Sequence, residues 1–333
     1  MRSFFSPSTD PAFNLALEET LFDSLSPENP EFFLLWQNAP SIIIGRHQNT
    51  AEEINSRYCH EHGINIVRRE SGGGAVYHDL GNVNFSFLSW TPDKRLQGVE
   101  KYTLLMLAVL SDLGISAEFS SRNDISVHGK KVCGTAQRRT GQKMLHHGCL
   151  LVDADTTILS EALAVDADKF KSKGISSHKA RVANLIDFLP GHMSREDAVT
   201  MVISTTMKRC CSVRCILDPR TLQSANELAE AKYRKWDWNW GKSPDYTECK
   251  RHRFSWGKIE MRLNVSHGII HGCKFYGDFF ALKNIEELEA LLLGKKTSFE
   301  ELEAALHEIP LETWFLNANR RELLEFICGV SGR

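Results

Sequence analysis

The sequence has no excess of charge of either sign and no long apolar run. Its 40 lysines and arginines nearly balance 42 aspartates and glutamates, so the formal net charge is -2. Without a global positive field we expect neither nucleic-acid nor membrane binding, and any polyanion has to be held by a local basic site. The best apolar stretch, 102–110, is far shorter than the roughly 18 residues that a membrane-spanning helix needs.

The sequence also lacks an apolar leader and a cysteine framework. It begins MRSFFSPSTDP, which has neither the apolar core of a secretion signal nor the long Arg- and Ser-rich composition of a transit peptide. Nine scattered cysteines, an odd number with no CxxC pair, disfavour both a disulfide scaffold and a structural zinc site. We therefore expect reduced thiols and a cytoplasmic protein.

The composition is that of a globular protein with more than one domain. Hydrophobic residues make up 42% of the 333 residues and charged residues 25%, which is ordinary for globular chains. The length corresponds to about two domains. Aromatic residues, Gly and Pro concentrate at 236–246, so we predict a larger domain at 1–246 and a small α+β domain at 247–333.

Local patterns in the first half predict one helix and several strands. Asp10 and the proline after it are typical of a helix start. The apolar runs 31–37 and 41–45 are separated by three residues, which favours a hairpin. The segment 82–88 alternates apolar and polar residues and is predicted to be a strand.

Later segments predict a hairpin, a basic loop and a second hairpin. Residues 124–136 read as two strands around a His-Gly turn, and 259–279 as two strands around Ser-His-Gly. Between them, the polar and basic segment 166–185 is predicted to be a mobile surface loop that can become ordered over an anion.

The most unusual segment is RESGGGAVYHDLGN, residues 69–82. Three consecutive glycines between two strands are costly in entropy and indicate a sharp turn or a close approach to a ligand. Arg68 and Arg69 are expected to supply positive charge beside it. The pattern is neither GxxxxGK[ST] nor GxGxxG followed by a helix, and a flexible loop with exposed arginines is the alternative interpretation.

A second group of candidate residues lies in RNDISVHGKKVCGTAQRR, residues 122–139. Lys131 is followed by small residues that leave room for a ligand alongside the backbone, although a lone lysine is usually a solvated charge. Asp124 is a weak candidate for a Mg²⁺ ligand. His146 and His147 are adjacent on a predicted strand and point to opposite faces, which disfavours a shared metal.

Four segments together resemble a known family. SGGGAVYHDLGN, KVCGTAQ, HHGCLL and GISSHKARVANL occur in the order and approximate spacing of lipoate–protein ligases, and the resemblance covers about residues 10–330. It implies an α+β fold: a class II synthetase or biotin-ligase-like catalytic domain with a mixed, largely antiparallel sheet, followed by the small carboxy-terminal domain of the bacterial ATP-using members.

The resemblance also implies an activity. Lipoate would react with ATP, together with Mg²⁺, to give lipoyl-AMP, and the acyl group would then pass to a lysine ε-amine of an acceptor. The implied acceptors are apo lipoyl domains of 2-oxoacid dehydrogenase complexes and the glycine-cleavage H protein, and the enzyme is expected to be a monomer without a tightly bound prosthetic group.

Site residues are assigned by the same resemblance. Lys131 is implied as the catalytic lysine that contacts both the lipoyl carboxylate and the phosphate. The implied substrate- and nucleotide-binding residues are Arg69, Ser71, Gly72, Gly73, Gly74, Ala75, Val76, Tyr77, Asp124, Thr135, Ala136, Gly148, Cys149, Ser177, His178 and Ala180.

Two cysteines depart from the family pattern and leave an alternative open. Cys133 and Cys149 stand where many family members have serine or threonine, and as thiolates they could carry an acyl thioester. The chain would then be an ATP-independent octanoyl or lipoyl transferase. A non-catalytic lipoyl-domain-binding module is a third hypothesis.

Overall fold

Mixed sheets and flanking helices make up the chain. The computed structural model describes residues 1–91, 97–120, 124–163, 182–210, 213–240, 248–296 and 299–328. The strands are β1 (Arg2–Phe5), β2 (Glu31–Trp36), β3 (Ser41–Ile44), β4 (Asn65–Arg68), β5 (Val76–His78), β6 (Asn82–Trp90), β7 (Glu118–Ser120), β8 (Asp124–Val127), β9 (Lys130–Thr140), β10 (Lys143–Leu151), β11 (Val213–Arg214), β12 (Glu248–Phe254), β13 (Gly257–Ser266) and β14 (Ile269–Gly277).

The helices connect and cover these strands. They are α1 (Pro11–Asp23), α2 (Thr50–Glu53), α3 (Ser56–Glu61), α4 (Gln97–Asp112), α5 (Thr156–Ala162), α6 (Arg195–Cys210), α7 (Pro219–Leu228), α8 (Trp236–Asn239), α9 (Ile285–Leu292), α10 (Phe299–Leu306) and α11 (Arg320–Cys328). Short 3₁₀ turns occur at Leu185–Phe188 and Leu311–Thr313, and a π-helical turn at Ala229–Tyr233. None of the described helices is both long and apolar enough to cross a bilayer.

The central sheet has eight described strands in the order β11-β1-β2-β6-β10-β9-β8-β7. β1 pairs in parallel with β2 and β11, and the other neighbours are antiparallel. This confirms the predicted α+β class with a mixed, largely antiparallel sheet. A second sheet, in the order β4-β3-β5, lies beside it.

The central sheet is covered on both faces. Helix α1 starts as predicted, because the Asp10 carboxylate accepts a hydrogen bond of 2.9 Å from Ala12 N, and it packs over one face. Helices α4 and α6 pack over the other face, where Phe85 and Phe87 of β6 are buried. The polar residues of β6, such as Asn84, are equally buried but on the α1 side. The alternation therefore separates an apolar core from a buried polar face.

The predicted hairpin between 31–37 and 41–45 is wrong. β2 pairs with β1 and β6 in the central sheet, whereas β3 pairs with β4 and β5 in the second sheet. Between them, the side-chain amide of Asn38 is bonded to Asn14 and His78. These long-range contacts carry the chain from one sheet to the other instead of turning it back on itself.

The carboxy-terminal residues form an antiparallel sheet in the order β12-β13-β14, with helices packed against it. The turn between β13 and β14 contains His267 and Gly268, both at positive φ, as expected for a tight hairpin. Strand β12 was not predicted from the sequence. The predicted boundary at residue 246 falls within 241–247, outside the described residues.

Candidate active site

A cavity of about 140 Å³ lies between the central and second sheets. Its wall combines an apolar part with polar groups from the predicted motifs. The lining residues are Leu15, Trp36, Ile43, Arg69, Gly73, Gly74, Ala75, Val76, His78, Asn84, Lys131, Gly134, Thr135, Ala136, His147, Gly148 and Cys149. The structure thus brings the glycine-rich segment and the Lys131 strand to one site.

The glycine loop, residues 69–75, is organised around the guanidinium of Arg69. Its Nε donates to Ser71 Oγ at 3.0 Å, and Nη2 donates to the carbonyls of Gly72 and Gly74 at 2.6 and 2.8 Å. Nη1 donates to Ile43 O at 3.0 Å on the second sheet. Burial lowers the pKa of Arg69 to about 10, so it remains a cation at neutral pH. Most of its donors are used to shape the loop.

Arg68, which was expected to supply positive charge beside the loop, is bonded to the protein backbone as well. Its guanidinium donates to the carbonyls of Gly45 and Gln48 at 2.9 and 2.6 Å and to the Thr50 hydroxyl at 2.6 Å. The guanidinium donates to six backbone and side-chain acceptors in total, so Arg68 holds the segment after β3 in place.

A buried hydrogen-bonded chain supports the glycine loop from the central sheet. Nδ1 of His147 lies 2.8 Å from Glu18 Oε1, and Nε2 lies 2.6 Å from Ser71 Oγ. The Glu18 carboxylate only accepts, so the network assigns the proton to Nδ1 and leaves Nε2 to accept from Ser71. Ser86 also donates to Glu18, at 2.5 Å. The chain connects α1, β10 and the loop.

His146, the neighbour of His147, points to the opposite face of β10, as strand alternation predicts. It packs among the rings of Phe85, Phe87 and Tyr102, with centroid distances of 6.1 to 6.4 Å. Both ring nitrogens lack a hydrogen-bond partner among the described residues. Burial lowers the pKa of His146 to about 3, so the ring is neutral.

Lys131 lines the cavity from the start of β9. Its Nζ lies 2.7 Å from Asp124 Oδ1 on the neighbouring strand β8, and about one third of each side chain is exposed. A Cβ at Gly134 would lie 2.9 Å from the same ammonium. The small residue predicted to leave room for a ligand therefore also leaves room for the lysine itself.

The two cysteines occupy different environments. Cys133 is fully buried in the core beneath α4 and α6, and burial raises its pKa well above that of an ordinary thiol. Cys149 lines the cavity, and burial raises its pKa too, although Lys131 opposes the shift. Both are thiols rather than thiolates at neutral pH.

The remaining predicted residues divide into three groups. Thr135, Ala136 and Gly148 line the cavity as expected. The side chain of Tyr77 does not, because it points to the other side of β5 and packs near Ile42 in a separate apolar cluster. Ser177, His178 and Ala180, and most of the predicted basic loop, lie outside the described residues.

The carboxy-terminal unit contacts the site. Gly277 N donates to His47 O at 2.7 Å, and the His47 ring stacks on Phe279 with a centroid distance of 4.7 Å. Burial, with help from nearby arginines, lowers the pKa of His47 to about 3. Arg46 forms an ion pair of 3.1 Å with Glu286. The segment after β3 is therefore a contact between the two parts of the chain.

The glycine loop itself meets the same unit at close range. A Cβ at Gly72 would lie 2.4 Å from the carbonyl oxygen of Phe279, so the backbones approach too closely for any side chain. Gly73 has φ +90° and lies against the ring of Phe280. The loop is held between the carboxy-terminal unit and Arg69.

A cluster of charges flanks the loop at Glu70. Its carboxylate forms ion pairs with Lys232, with Arg138 at 3.7 Å and with Arg46 at 3.9 Å. Burial alone would raise the pKa of Glu70, but the three cations outweigh it and hold the pKa below its usual value. Glu19 pairs with Lys232 at 2.8 Å in the same cluster.

The residues that sequence reasoning missed include Trp36 and Asn84 in the cavity wall and Glu18, which is bonded to His147. Asn14 and Glu18 are buried polar residues one helical turn apart, and this spacing in an apolar helix is the signal that could have drawn attention to Glu18. Asn84 lies on the polar face of an alternating strand. Trp36 has no local signal, since its contact with the cavity depends on strand order.

The chain matches two sequence profiles and several characterised proteins. The profile of the lipoyl protein ligase A/B catalytic domain matches residues 10–206, and that of the bacterial lipoate protein ligase C-terminus matches residues 243–327. The lipoate-protein ligase LplJ of Bacillus subtilis (strain 168) is 39% identical over 321 residues, which are 96% of this chain and 97% of that protein.

Solved structures agree with the sequence matches. The crystal structure of P. falciparum LipL1 in complex with lipoate has a TM-score of 0.79 at 25% identity and covers 99% of this chain and 98% of that one. A lipoate-protein ligase A bound with ATP has a TM-score of 0.62 at 27% identity and covers 72% of this chain and 98% of that one. Both sequence profiles, the similar sequences and the similar folds are those of lipoate–protein ligases. The chain therefore belongs to the lipoate–protein ligase family.

Proposed function

We propose that this protein is an ATP-dependent lipoate–protein ligase. In the first half-reaction, the carboxylate of lipoate attacks the α-phosphorus of ATP, which yields lipoyl-AMP and pyrophosphate. In the second, a lysine ε-amine of the acceptor attacks the acyl carbon and AMP leaves. The observation that carries the proposal is the position of Lys131, whose side chain lines the same cavity as the glycine loop.

The cavity suits an acyl chain that ends in a carboxylate. Leu15, Trp36, Ile43 and Val76 provide apolar wall for the chain. The ammonium of Lys131 would attract both the carboxylate and the α-phosphate, and then stabilise the charge that develops on each. Holding the two reactants in contact supplies much of the rate, because this chemistry depends chiefly on positioning and charge stabilisation.

The roles of the other residues follow from where they lie. We assign Arg69 and Ser71 to the shaping of the loop, with Arg69 also presenting its charge to phosphate. The loop backbone at Gly72 to Gly74 and the following Ala75 and Val76 would contact lipoate and adenylate, and Thr135, Ala136 and Gly148 would border the purine or the acyl chain. Ser177, His178 and Ala180, which lie outside the described residues, are proposed to bind the adenylate.

Mg²⁺ is proposed to enter with ATP rather than to occupy a protein site. Among the described residues no group of three or more His, Cys, Asp or Glu side chains could hold a metal ion. The Asp124 carboxylate faces the Lys131 ammonium at 2.7 Å, and we propose that it positions this lysine rather than holding Mg²⁺. Phosphate oxygens and water are the ligands that Mg²⁺ usually keeps at nucleotide sites.

The acceptors we propose are apo lipoyl domains of 2-oxoacid dehydrogenase complexes and the glycine-cleavage H protein, acting with a monomeric enzyme. We place the enzyme in the cytoplasm. Support for a reducing compartment comes from seven cysteines that are unbridged: Cys59, Cys133, Cys149, Cys210, Cys215, Cys249 and Cys273.

One assay tests the function and its alternatives. The protein is incubated with lipoate, Mg-ATP and an apo lipoyl domain, while pyrophosphate and acceptor mass are followed. We expect both to increase only when ATP and lipoate are present, and an acceptor with its target lysine replaced by arginine serves as control. Mass gain from an acyl carrier without ATP would establish a transferase instead, and binding without mass gain would establish a binding module.

The cysteine environments bear on the transferase alternative. Cys133 is enclosed in the core, and Cys149 is a protonated thiol in the cavity wall. Neither environment favours a thiolate nucleophile. We expect Cys133→Ala and Cys149→Ser to retain ATP-dependent acyl transfer, and loss of transfer with intact adenylate formation in either variant would point to a thioester route.

A further inference from the structure

Among the described residues, the buried side-chain amide of Asn84 on β6 has no hydrogen-bond partner. Its side chain is fully buried, and neither Nδ2 nor Oδ1 is bonded to any group in the described part of the chain. Leaving both polar atoms of a buried amide unpaired costs folding free energy, so such a group requires an explanation. Asn84 is also one of the residues that line the cavity.

Other polar side chains around the cavity are bonded to the protein. His147 is held by Glu18 and Ser71, and His78 is bonded to Asn38 at 3.2 Å. Asn84 differs from these because its amide has no hydrogen-bond partner in the part of the chain that the structure describes. The Asn84 amide is therefore available to the occupant of the cavity.

Strand register places Asn84 in line with the catalytic lysine. Asn84 lies opposite Cys149 on β10, and Cys149 lies opposite Gly134 on β9. The Lys131 ammonium stands over Gly134. Two strand spacings of about 4.8 Å each separate Asn84 from Gly134. When a carboxylate accepts a hydrogen bond of about 2.9 Å on each oxygen, the two donor atoms lie roughly 8 Å apart. The two side chains can thus hold the two oxygens of one carboxylate.

The chemistry of the substrate also indicates that Asn84 contacts the carboxylate end of the acyl chain. This step rests on the ligase function proposed above, whose acyl substrate has a long apolar chain and one strongly accepting group, the carboxylate. A buried amide N–H gains most from a charged acceptor, because such hydrogen bonds are about twice as strong as neutral ones. The carboxylate is therefore the expected partner of Asn84 Nδ2.

We propose that Asn84 is a substrate-positioning residue whose Nδ2 donates a hydrogen bond to one carboxylate oxygen of the acyl substrate, opposite Lys131. The same N–H holds the carbonyl oxygen once the acyl-adenylate has formed. Two fixed contacts set the orientation of the carboxyl plane, which a single flexible lysine cannot do.

The test compares Asn84→Leu with a matched control. Leucine has a similar size and no polar atom, and Asn84→Ala is a second variant in case leucine packs poorly. The control is Ser41→Ala, which removes a buried hydroxyl that is also unpaired among the described residues but lies outside the cavity wall. Pyrophosphate exchange is measured with lipoate and with octanoate, and thermal unfolding is measured without substrate.

We expect Asn84→Leu to unfold at the same temperature as the wild type or higher, because the unpaired amide is gone. Its kcat/KM should fall roughly 10- to 100-fold for lipoate and for octanoate alike, since both end in a carboxylate. Ser41→Ala should keep wild-type kinetics.

Two results would overturn the inference: unchanged kinetics in both Asn84 variants, or a loss with lipoate alone, which would put the amide at the ring end of the chain. A wild-type protein without any lipoate-dependent exchange would contradict the proposed function instead.

Discussion

Ser71 Oγ lies 2.6 Å from Nε2 of His147, and this bond ties the glycine loop to the central sheet. The same hydroxyl accepts a hydrogen bond from Arg69 Nε at 3.0 Å. The Ser71 hydroxyl is therefore bonded both to His147 of β10 and to Arg69 of the loop. The loop that borders the cavity is held rigidly by groups that themselves need no ligand.

We expect Ser71→Ala to loosen the loop. The substitution leaves a buried imidazole nitrogen and a guanidinium N–H without their partner, which costs about 1–3 kcal/mol of unfolding free energy. The KM for lipoate should rise roughly 10-fold as the loop loses its fixed position. Denaturant unfolding and steady-state kinetics check this, and a variant with wild-type stability and KM would show that the bond is dispensable.

Lys131→Met should abolish formation of the adenylate. Methionine keeps an unbranched apolar stem and removes the charge that the carboxylate and phosphate require. Unfolding free energy should change by less than about 1 kcal/mol, since the ion pair with Asp124 is partly exposed. Lipoate-dependent pyrophosphate exchange is the measurement, with Lys130→Met, the exposed neighbour, as the control. Near-normal exchange in Lys131→Met would remove this lysine from the mechanism.

Gly72→Ala should weaken the contact between the loop and the carboxy-terminal unit. The added methyl group would lie 2.4 Å from the carbonyl oxygen of Phe279, a backbone atom that cannot move aside alone. We expect the free energy of unfolding to decrease by about 1–3 kcal/mol. Gly74→Ala is the matched control for stability, because a Cβ there meets nothing within 4 Å. Equal melting temperatures for the two variants would contradict this account.

His146→Phe should make the protein less sensitive to acid. The pKa of His146 is about 3 in the fold and its ordinary value is 6.5, so below pH 6.5 the unfolded chain takes up a proton that the folded chain does not. At pH 5 this costs about 2 kcal/mol. Denaturant unfolding is measured at pH 7 and at pH 5. Between these two pH values, the unfolding free energy of the variant should fall by about 2 kcal/mol less than that of the wild type. Equal decreases in the two proteins would argue against a buried neutral ring.

His47 and His78 titrate in the same direction. Burial is the main cause in each, and each has a pKa of about 3. The free energy of unfolding should therefore continue to fall with acid in His146→Phe, only less steeply. His47 stacks on Phe279, so acid should also weaken the contact with the carboxy-terminal unit.

Local features of the fold could be predicted wherever neighbouring residues decide the conformation. Asp10 and Pro11 begin a helix because the cap and the fixed φ act within one turn. The turn at His128 and Gly129 was predicted for the same reason, and both residues have positive φ. Strand pairing could not be predicted in this way, because contacts between residues distant in sequence decide which strands pair. The hairpin predicted after Trp36 was therefore wrong, and strand β12 was missed.

The sequence by itself determined the family and the glycine loop, and it predicted a catalytic role for Lys131, because these depend on residue types in a fixed order. Only the tertiary structure decided what each charge does. Arg68 and Arg69 were both expected to supply positive charge beside the glycine loop, yet both also hold backbone carbonyls, because buried guanidinium groups must satisfy their donors. The sequence showed Asn84 only as one polar residue of a strand. The order of the strands brings its amide, which is unpaired among the described residues, into line with Lys131.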